Sequence, residues 1–100
     1  MKTQTTTDGM TIIEQMIGDN ASLKQMYEEA TINAHVAQLI YDARCQANLS
    51  QKELAQMIGT TQSVISRLED ADYQGHSLSM LSRIAQATGR QVKIDLVSIH

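Results

Sequence analysis

The chain has 100 residues, contains no Phe, Trp or Pro, and carries a formal net charge of −3 at pH 7. This length predicts one small domain with a core of Leu, Ile, Val, Met and Ala, a composition that favours helices and, at this size, association with a second chain. A single cysteine excludes an internal disulfide, and we expect neither a signal peptide nor a membrane span. We therefore expect a soluble protein of the reducing cytoplasm.

Residues 1–30 are predicted to form an N-terminal arm that is partly disordered or a short helix. A helical pattern from Met10 to Ile17 ends at Gly18. The arm holds two basic and five acidic residues, whereas residues 31–100 hold six of each sign. The acidity therefore lies in the arm, and a single copy of the neutral remainder is expected to bind nucleic acid weakly.

Residues 31–90 are predicted to form the folded domain, which begins with a long helix from Ile32 to Ala47 that ends near Asn48. Whether this helix extends back to Leu23 is left open by the pattern. Its apolar stripe consists of Ile32, Val36, Leu39, Ile40, Ala43 and Ala47.

Two shorter helices are predicted next. Ser50 and Glu53 have the spacing of a capping box at the start of a second helix, which runs to Ile58 and stops at Gly59. Thr61 is expected to cap a third helix from Gln62 to about Glu69.

A polar loop from Asp70 to His76 then leads to a fourth helix, Leu78 to Thr88, between a Ser77 cap and Gly89. The inner face of this helix is expected to consist of Leu78, Leu81, Ile84 and Ala85.

Residues 91–100 change period, because apolar and charged side chains alternate from Val92 to Leu96. This alternation predicts a half-buried β-strand that continues to Ile99. It is the only strand predicted, and its backbone groups need a partner, so we expect it to pair across a homodimer. The predicted dimerisation residues are Val92, Ile94, Leu96 and Ile99.

Residues 51–69 have the pattern of a helix-turn-helix. Ala55 is small where two helices would cross, and Gly59 suits a tight turn. The apolar residues predicted to face inward are Leu54, Ile58, Ile65 and Leu68. The outward residues of the third helix are then Gln62, Ser63, Ser66 and Arg67, which suit base edges in a major groove. An ordinary helical hairpin in a small bundle is the alternative.

The segments Leu49–Ala55 and Gly59–Glu69 also resemble the Cro/CI-type (XRE) helix-turn-helix family. The resemblance extends from about Leu39 to Gly89. It implies a mainly α, compact, lambda-repressor-like domain that binds double-stranded DNA with the third helix as recognition helix. Two copies paired through the C-terminal strand would place their recognition helices on a palindromic operator. The DNA-contacting residues that the resemblance implies are Gln51, Thr60, Thr61, Gln62, Ser63, Ser66 and Arg67.

The same resemblance implies a structural ion pair between Arg44 and Glu69. The sequence departs from the family pattern after Glu69, because Asp70 and Asp72 stand where the family often has Asn-Gly. These carboxylates would repel phosphate, so we do not expect that loop to contact DNA closely.

The whole layout is similar to HigA-type antitoxins, which implies a HigB-like RNase toxin as partner and repression of the chain's own operon. A stand-alone phage or plasmid regulator is an alternative, and so is a protein-interaction module that has lost DNA binding. No residue pattern indicates catalysis, a metal site or a cofactor. Cys45 lies roughly opposite the apolar stripe and is expected to be at least partly exposed.

Overall fold

The computed structural model describes residues 21–99. It contains four helices in that range: α1 (Ala21–Gln46), α2 (Gln51–Ile58), α3 (Gln62–Leu68) and α4 (Leu78–Ala87). The chain divides into two units, Met1–Ile32 and Asn33–His100. The helix predicted from Met10 to Ile17, and most of the predicted arm, lie outside the described residues.

Helix α1 runs unbroken for 26 residues, and it therefore reaches back beyond Leu23. In the first unit, every described side chain, from Ala21 to Ile32, is exposed. Ile32, predicted to belong to the buried stripe, has an exposed fraction of 61%, so its assignment to the core was wrong.

In the second unit, the buried face of α1 is rotated from the predicted stripe. Ala37 and Ile40 are the buried residues of this helix, whereas Leu39 is 52% exposed. The apolar pattern of α1 is broad, and the rotation of the helix follows from the core cluster that Ile40 joins. That long-range information is not contained in the periodicity of the helix itself.

The predicted helix starts are confirmed, because each cap makes its hydrogen bond. The Glu53 amide donates to Ser50 Oγ at 3.0 Å, and the Ser50 amide donates to Glu53 Oε1 at 2.8 Å. Thr61 Oγ1 accepts from the Val64 amide at 3.3 Å, and Ser77 Oγ accepts from the Met80 amide at 3.1 Å. Local side chains therefore satisfy the amides that a helix start leaves unpaired.

The helix ends are also as predicted. Asn48, Gly59 and Gly89 adopt positive φ angles of 59°, 74° and 71°, the left-handed conformation in which helices often end.

Cys45 is a free, exposed cysteine, as expected from its position on α1.

One apolar core holds the second unit together. It contains residues from all four helices: Ile40, Leu54, Ala55, Ile58, Ile65, Leu68 and Ile84. Leu54 and Ile65 are fully buried, and all four residues predicted to face inward from α2 and α3 are in this core. Leu78, predicted to be internal, is 64% exposed because it is the first residue of α4, and Met80 packs on the core instead.

No β-strand occurs between residues 21 and 99. The four predicted dimerisation residues of the C-terminal segment are exposed: Val92 (37%), Ile94 (63%), Leu96 (95%) and Ile99 (88%). A strand that pairs across a dimer has no partner in a single chain, so this strand stays a prediction.

Candidate nucleic-acid interface

A three-residue turn joins α2 to α3. Gly59, in the left-handed conformation, and Thr60 both donate their backbone amides to the Ala55 carbonyl. Arg83 of α4 donates from Nη2 to the Ile58 carbonyl at 2.6 Å, which places a cation at the negative end of the α2 dipole. The turn that orients α3 is therefore stabilised by its own backbone hydrogen bonds and by the Arg83 side chain of α4.

Helix α3 has one buried side and one solvent side. Ile65 and Leu68 are 0% and 3% exposed and lie in the core. The four residues predicted to face outward, Gln62, Ser63, Ser66 and Arg67, are all exposed. Because α3 is short and its apolar residues fix its rotation, these four side chains share the surface opposite the core.

A chain of hydrogen bonds links this surface to α1. Arg44 donates to Glu69 from Nε at 2.7 Å and from Nη2 at 3.1 Å, and the two side chains are 12% and 5% exposed. Gln51 Nε2 donates to the same carboxylate at 3.1 Å, and Gln62 Nε2 donates to Gln51 Oε1 at 3.4 Å. The structure therefore brings together Arg44, Glu69, Gln51 and Gln62, which the sequence separates by up to 25 positions.

Arg44 is held from three directions. Besides Glu69, its Nη1 donates to the Leu49 carbonyl at 2.8 Å, and its guanidinium carbon lies 5.3 Å from the centre of the Tyr41 ring. The hydrogen bond with Glu69 raises the pKa of Arg44 above its ordinary value. A hydrogen bond with Cys45 is the main cause of the raised pKa of the Tyr41 phenol.

Consequently, the Arg44–Glu69 pair contributes no net charge to the surface of α3. Among the predicted contact residues, Arg67 alone is cationic. Thr61 is exposed but its hydroxyl accepts the helix-capping bond, while Thr60 and Gln51 are partly buried. The candidate surface is thus polar with a single cation, which favours contacts to base edges over a large electrostatic attraction.

The loop after α3 is folded on itself. Asp70 Oδ1 accepts from the Asp72 amide at 2.9 Å, and the two residues are exposed. His76 Nε2 lies 2.8 Å from the Leu68 carbonyl, and its ring meets Tyr73 edge-to-face with centroids 5.0 Å apart. A Cβ at Gly75 would collide with the hydroxyl end of the Tyr73 side chain, so a larger residue here requires that side chain to move.

Arg83 and His76 are positioning residues that sequence reasoning missed. Each binds a carbonyl at the C-terminal end of a helix of the helix-turn-helix, Ile58 for Arg83 and Leu68 for His76. The hydrogen bond of Arg83 spans 25 positions, so no local sequence pattern predicts it. His76 is closer in sequence to its partner Leu68, and its place shortly after the end of α3 is the one local signal for this contact.

Between residues 21 and 99 no cluster of His, Cys, Asp or Glu could hold a metal ion. The helices in that range are too short or too polar to cross a membrane.

Two short helices joined by a tight turn, one packed inside and one exposing polar side chains, define a helix-turn-helix domain. The family model described as Helix-turn-helix matches residues 40–94. The chain therefore belongs to the helix-turn-helix family, and its resemblance to the Cro/CI-type members is confirmed at that level. The chain matches no curated protein and no solved structure, so its narrower similarity to HigA-type antitoxins stays a prediction.

Proposed function

We propose that the chain is a sequence-specific DNA-binding transcription repressor that inserts α3 into the major groove. The observation that carries this proposal is the exposed polar face of α3, backed by the hydrogen-bonded series from Gln62 through Gln51 and Glu69 to Arg44. A side chain held in place before binding loses less entropy when it contacts a base. The role needs neither a catalytic residue nor a cofactor.

Gln62 and Arg67 are the residues proposed to contribute most to specificity. The Gln62 amide, positioned by Gln51, suits an adenine edge, which offers one donor and one acceptor. Arg67, exposed in the last turn of α3, suits a guanine or a phosphate. Ser63 and Ser66 lie beside them. Thr60, Thr61 and Gln51 are proposed to contact the DNA backbone.

Two copies are proposed to bind one palindrome. With a single cation among its predicted contacts, one domain gains little from counterion release. A dimer doubles the contact surface and places two recognition helices about one DNA turn apart, ~34 Å. The C-terminal segment, with Val92, Ile94, Leu96 and Ile99 exposed, is the proposed dimer contact.

Selection from a pool of random duplex DNA tests the proposal and defines the operator in the same experiment. We expect enrichment of a palindrome whose half-sites are centred about 10 base pairs apart. In a mobility-shift assay of the selected site, affinity should fall with rising salt, but with a shallow slope because few phosphates are neutralised. A pool that stays unenriched would contradict DNA binding and favour a protein-interaction module on the same scaffold.

The antitoxin role is a second candidate, because the exposed start of α1 suits a protein partner. Met26 and Tyr27 are each 64% exposed, next to the acidic Glu28 and Glu29. These two side chains offer apolar surface that a protein partner can cover, and the neighbouring carboxylates favour a basic partner, such as a HigB-like RNase toxin. A stand-alone regulator would leave this surface without a protein partner.

Co-expression with the product of an adjacent gene for a small basic protein separates the antitoxin from the stand-alone regulator. We expect the wild-type chain to relieve that protein's toxicity, and the M26S/Y27S variant to relieve it less while binding DNA as before. Exposed Ser79 and Ser82 of α4 serve as control positions for alanine variants. If no such gene lies nearby, or if the wild-type chain gives no relief, the stand-alone regulator is favoured.

A further inference from the structure

The C-terminal segment forms one wall of an apolar groove in the second unit. The groove has a volume of about 520 Å³ and lies between α1, α4 and residues 90–94. Its apolar lining includes Val36, Leu39, Leu81, Val92 and Ile94. Leu39 and Ile94 are each more than half exposed, so the groove is incompletely covered by its own chain.

Residues 91–97 of this segment have backbone groups that are available to another chain. Residues 91–97 make no backbone hydrogen bond within the range that the structure describes, and unpaired backbone groups of this kind are a template for another strand. Leu96 is 95% exposed and continues the even-numbered apolar series of Val92 and Ile94. Lys93 and Asp95 alternate with that series.

The charges of the segment are self-complementary about one residue. Lys93 and Asp95 flank Ile94 symmetrically. In an antiparallel pair related by a two-fold axis through Ile94, Lys93 of each copy therefore lies directly opposite Asp95 of the other. Opposite charges in directly facing positions stabilise a strand pair, and like charges destabilise it.

We propose that the groove is completed by a second copy of this chain, with residues 92–96 of the two copies paired antiparallel about Ile94. In this register, Val92 of one copy faces Leu96 of the other, so that the exposed leucine is placed beside the partner's groove. The contact is isologous, as a two-fold dimer requires. This inference rests on the proposed dimer and specifies its partner surface and register.

Neighbouring registers that keep the apolar side chains on one face are less favourable. If the axis passes through Lys93, the two lysines face each other, and if it passes through Asp95, the two aspartates do. If the axis passes through Val92 or Leu96, Lys93 faces Gln91 or Ile99, and no pair of opposite charges forms. Register is set by the side-chain pattern, and among these registers the one centred on Ile94 alone joins opposite charges.

Charge reversal tests the register. Lys93→Asp should raise the dimer dissociation constant about tenfold at low salt, because two attractive pairs become repulsive, and Asp95→Lys should do the same. The doubly reversed K93D/D95K variant should dimerise as tightly as the wild type. Lys52→Asp, an equal charge change at an exposed position of α2, is the control and should leave the dissociation constant unchanged in sedimentation equilibrium.

A mixing experiment adds a second, independent readout. Equal amounts of K93D and D95K chains should form a mixed dimer in preference to either homodimer, because only the mixed pair places opposite charges face to face throughout. A wild-type dimer that K93D/D95K does not reproduce would overturn the register while leaving the dimer intact. A wild-type chain that stays monomeric would overturn both the register and the proposed dimer, and DNA selection would report separately on the repressor.

Discussion

The carboxylate of Glu69 connects the polar surface of α3 to α1 and α2. It accepts two hydrogen bonds from Arg44 and one from Gln51, at distances of 2.7–3.1 Å. Because Glu69 directly follows α3, the same carboxylate holds the end of this helix and, through Gln51, the Gln62 side chain at its start. Glu69 thus contributes both to the stability of the fold and to the arrangement of the proposed DNA-binding surface.

Replacing one member of this pair should leave the other charge buried and uncompensated. We expect Glu69→Gln or Arg44→Met to lower the free energy of unfolding by about 3 kcal/mol. The double variant R44M/E69Q should lose clearly less than the sum of the two, because neither charge then remains. Urea unfolding of the four proteins measures this, and additive losses would mean that the two side chains act independently.

The raised pKa of Arg44 also fixes the sign of its pH dependence. A cation whose pKa is higher in the folded state contributes fully below its unfolded pKa and is lost only as pH rises through the folded value. Titration of Arg44 therefore removes no stability at neutral or moderately alkaline pH.

Gly59 is the residue whose backbone conformation sets the turn between α2 and α3. Its φ of 74° strains any L-residue with a Cβ, whereas the space around it is open except for Arg83, 3.9 Å away. Gly59→Ala should therefore destabilise the domain by about 1 kcal/mol. Gly59→Asn, matched in position but more tolerant of this conformation, should lose less in thermal unfolding; equal losses would show that space rather than φ is limiting.

At the scale of the element, the short helices depend on their caps. Helices α2 and α3 have 8 and 7 residues, lengths at which an isolated helix does not form in water. Each helix is therefore stabilised by the packing of its apolar side against the core and by a side-chain cap at its start, because helix propensity alone is insufficient.

Removing the cap hydroxyls should therefore be measurable. Ser50→Ala and Thr61→Ala should each lower the free energy of unfolding by about 1 kcal/mol. Ser63→Ala and Ser66→Ala, which remove exposed hydroxyls from α3 without removing a cap, should leave stability within about 0.5 kcal/mol of the wild type. A cap variant as stable as these controls would contradict the role of the caps.

The elements that sequence predicts well are those with local causes. The Ser50 box, the Thr61 and Ser77 caps and the left-handed residues Gly59 and Gly89 act within a few positions, and each was predictable. The rotation of α1, which buries Ala37 in place of Leu39, and the Arg83 bond to Ile58 depend on residues far along the chain. In the candidate site, the exposed residues of α3 could be predicted from the positions of its apolar residues. The contacts of Arg83 and His76 with the ends of α2 and α3 could not be predicted in this way.

At the scale of the whole molecule, two copies are proposed to act together. Leu96 is 95% exposed and lies outside the core, so Leu96→Asp should leave the stability of the single chain unchanged. The same change should weaken the dimer at least tenfold, because it places a carboxylate in the proposed interface. Deleting residues 91–100 should likewise weaken the dimer. A dimer that survives both changes would place the contact elsewhere.

The central claim, that α3 is the recognition helix, is tested most directly by the double variant Gln62→Ala/Arg67→Ala on the selected DNA site. Loss of two specific contacts in each copy should weaken binding about a hundredfold or more in a mobility-shift assay, with unchanged thermal unfolding. Lys24→Ala/Gln86→Ala removes a cation and an amide from exposed positions elsewhere and should bind as the wild type does. If the Gln62/Arg67 variant bound the site as tightly as this control, the claim would be wrong.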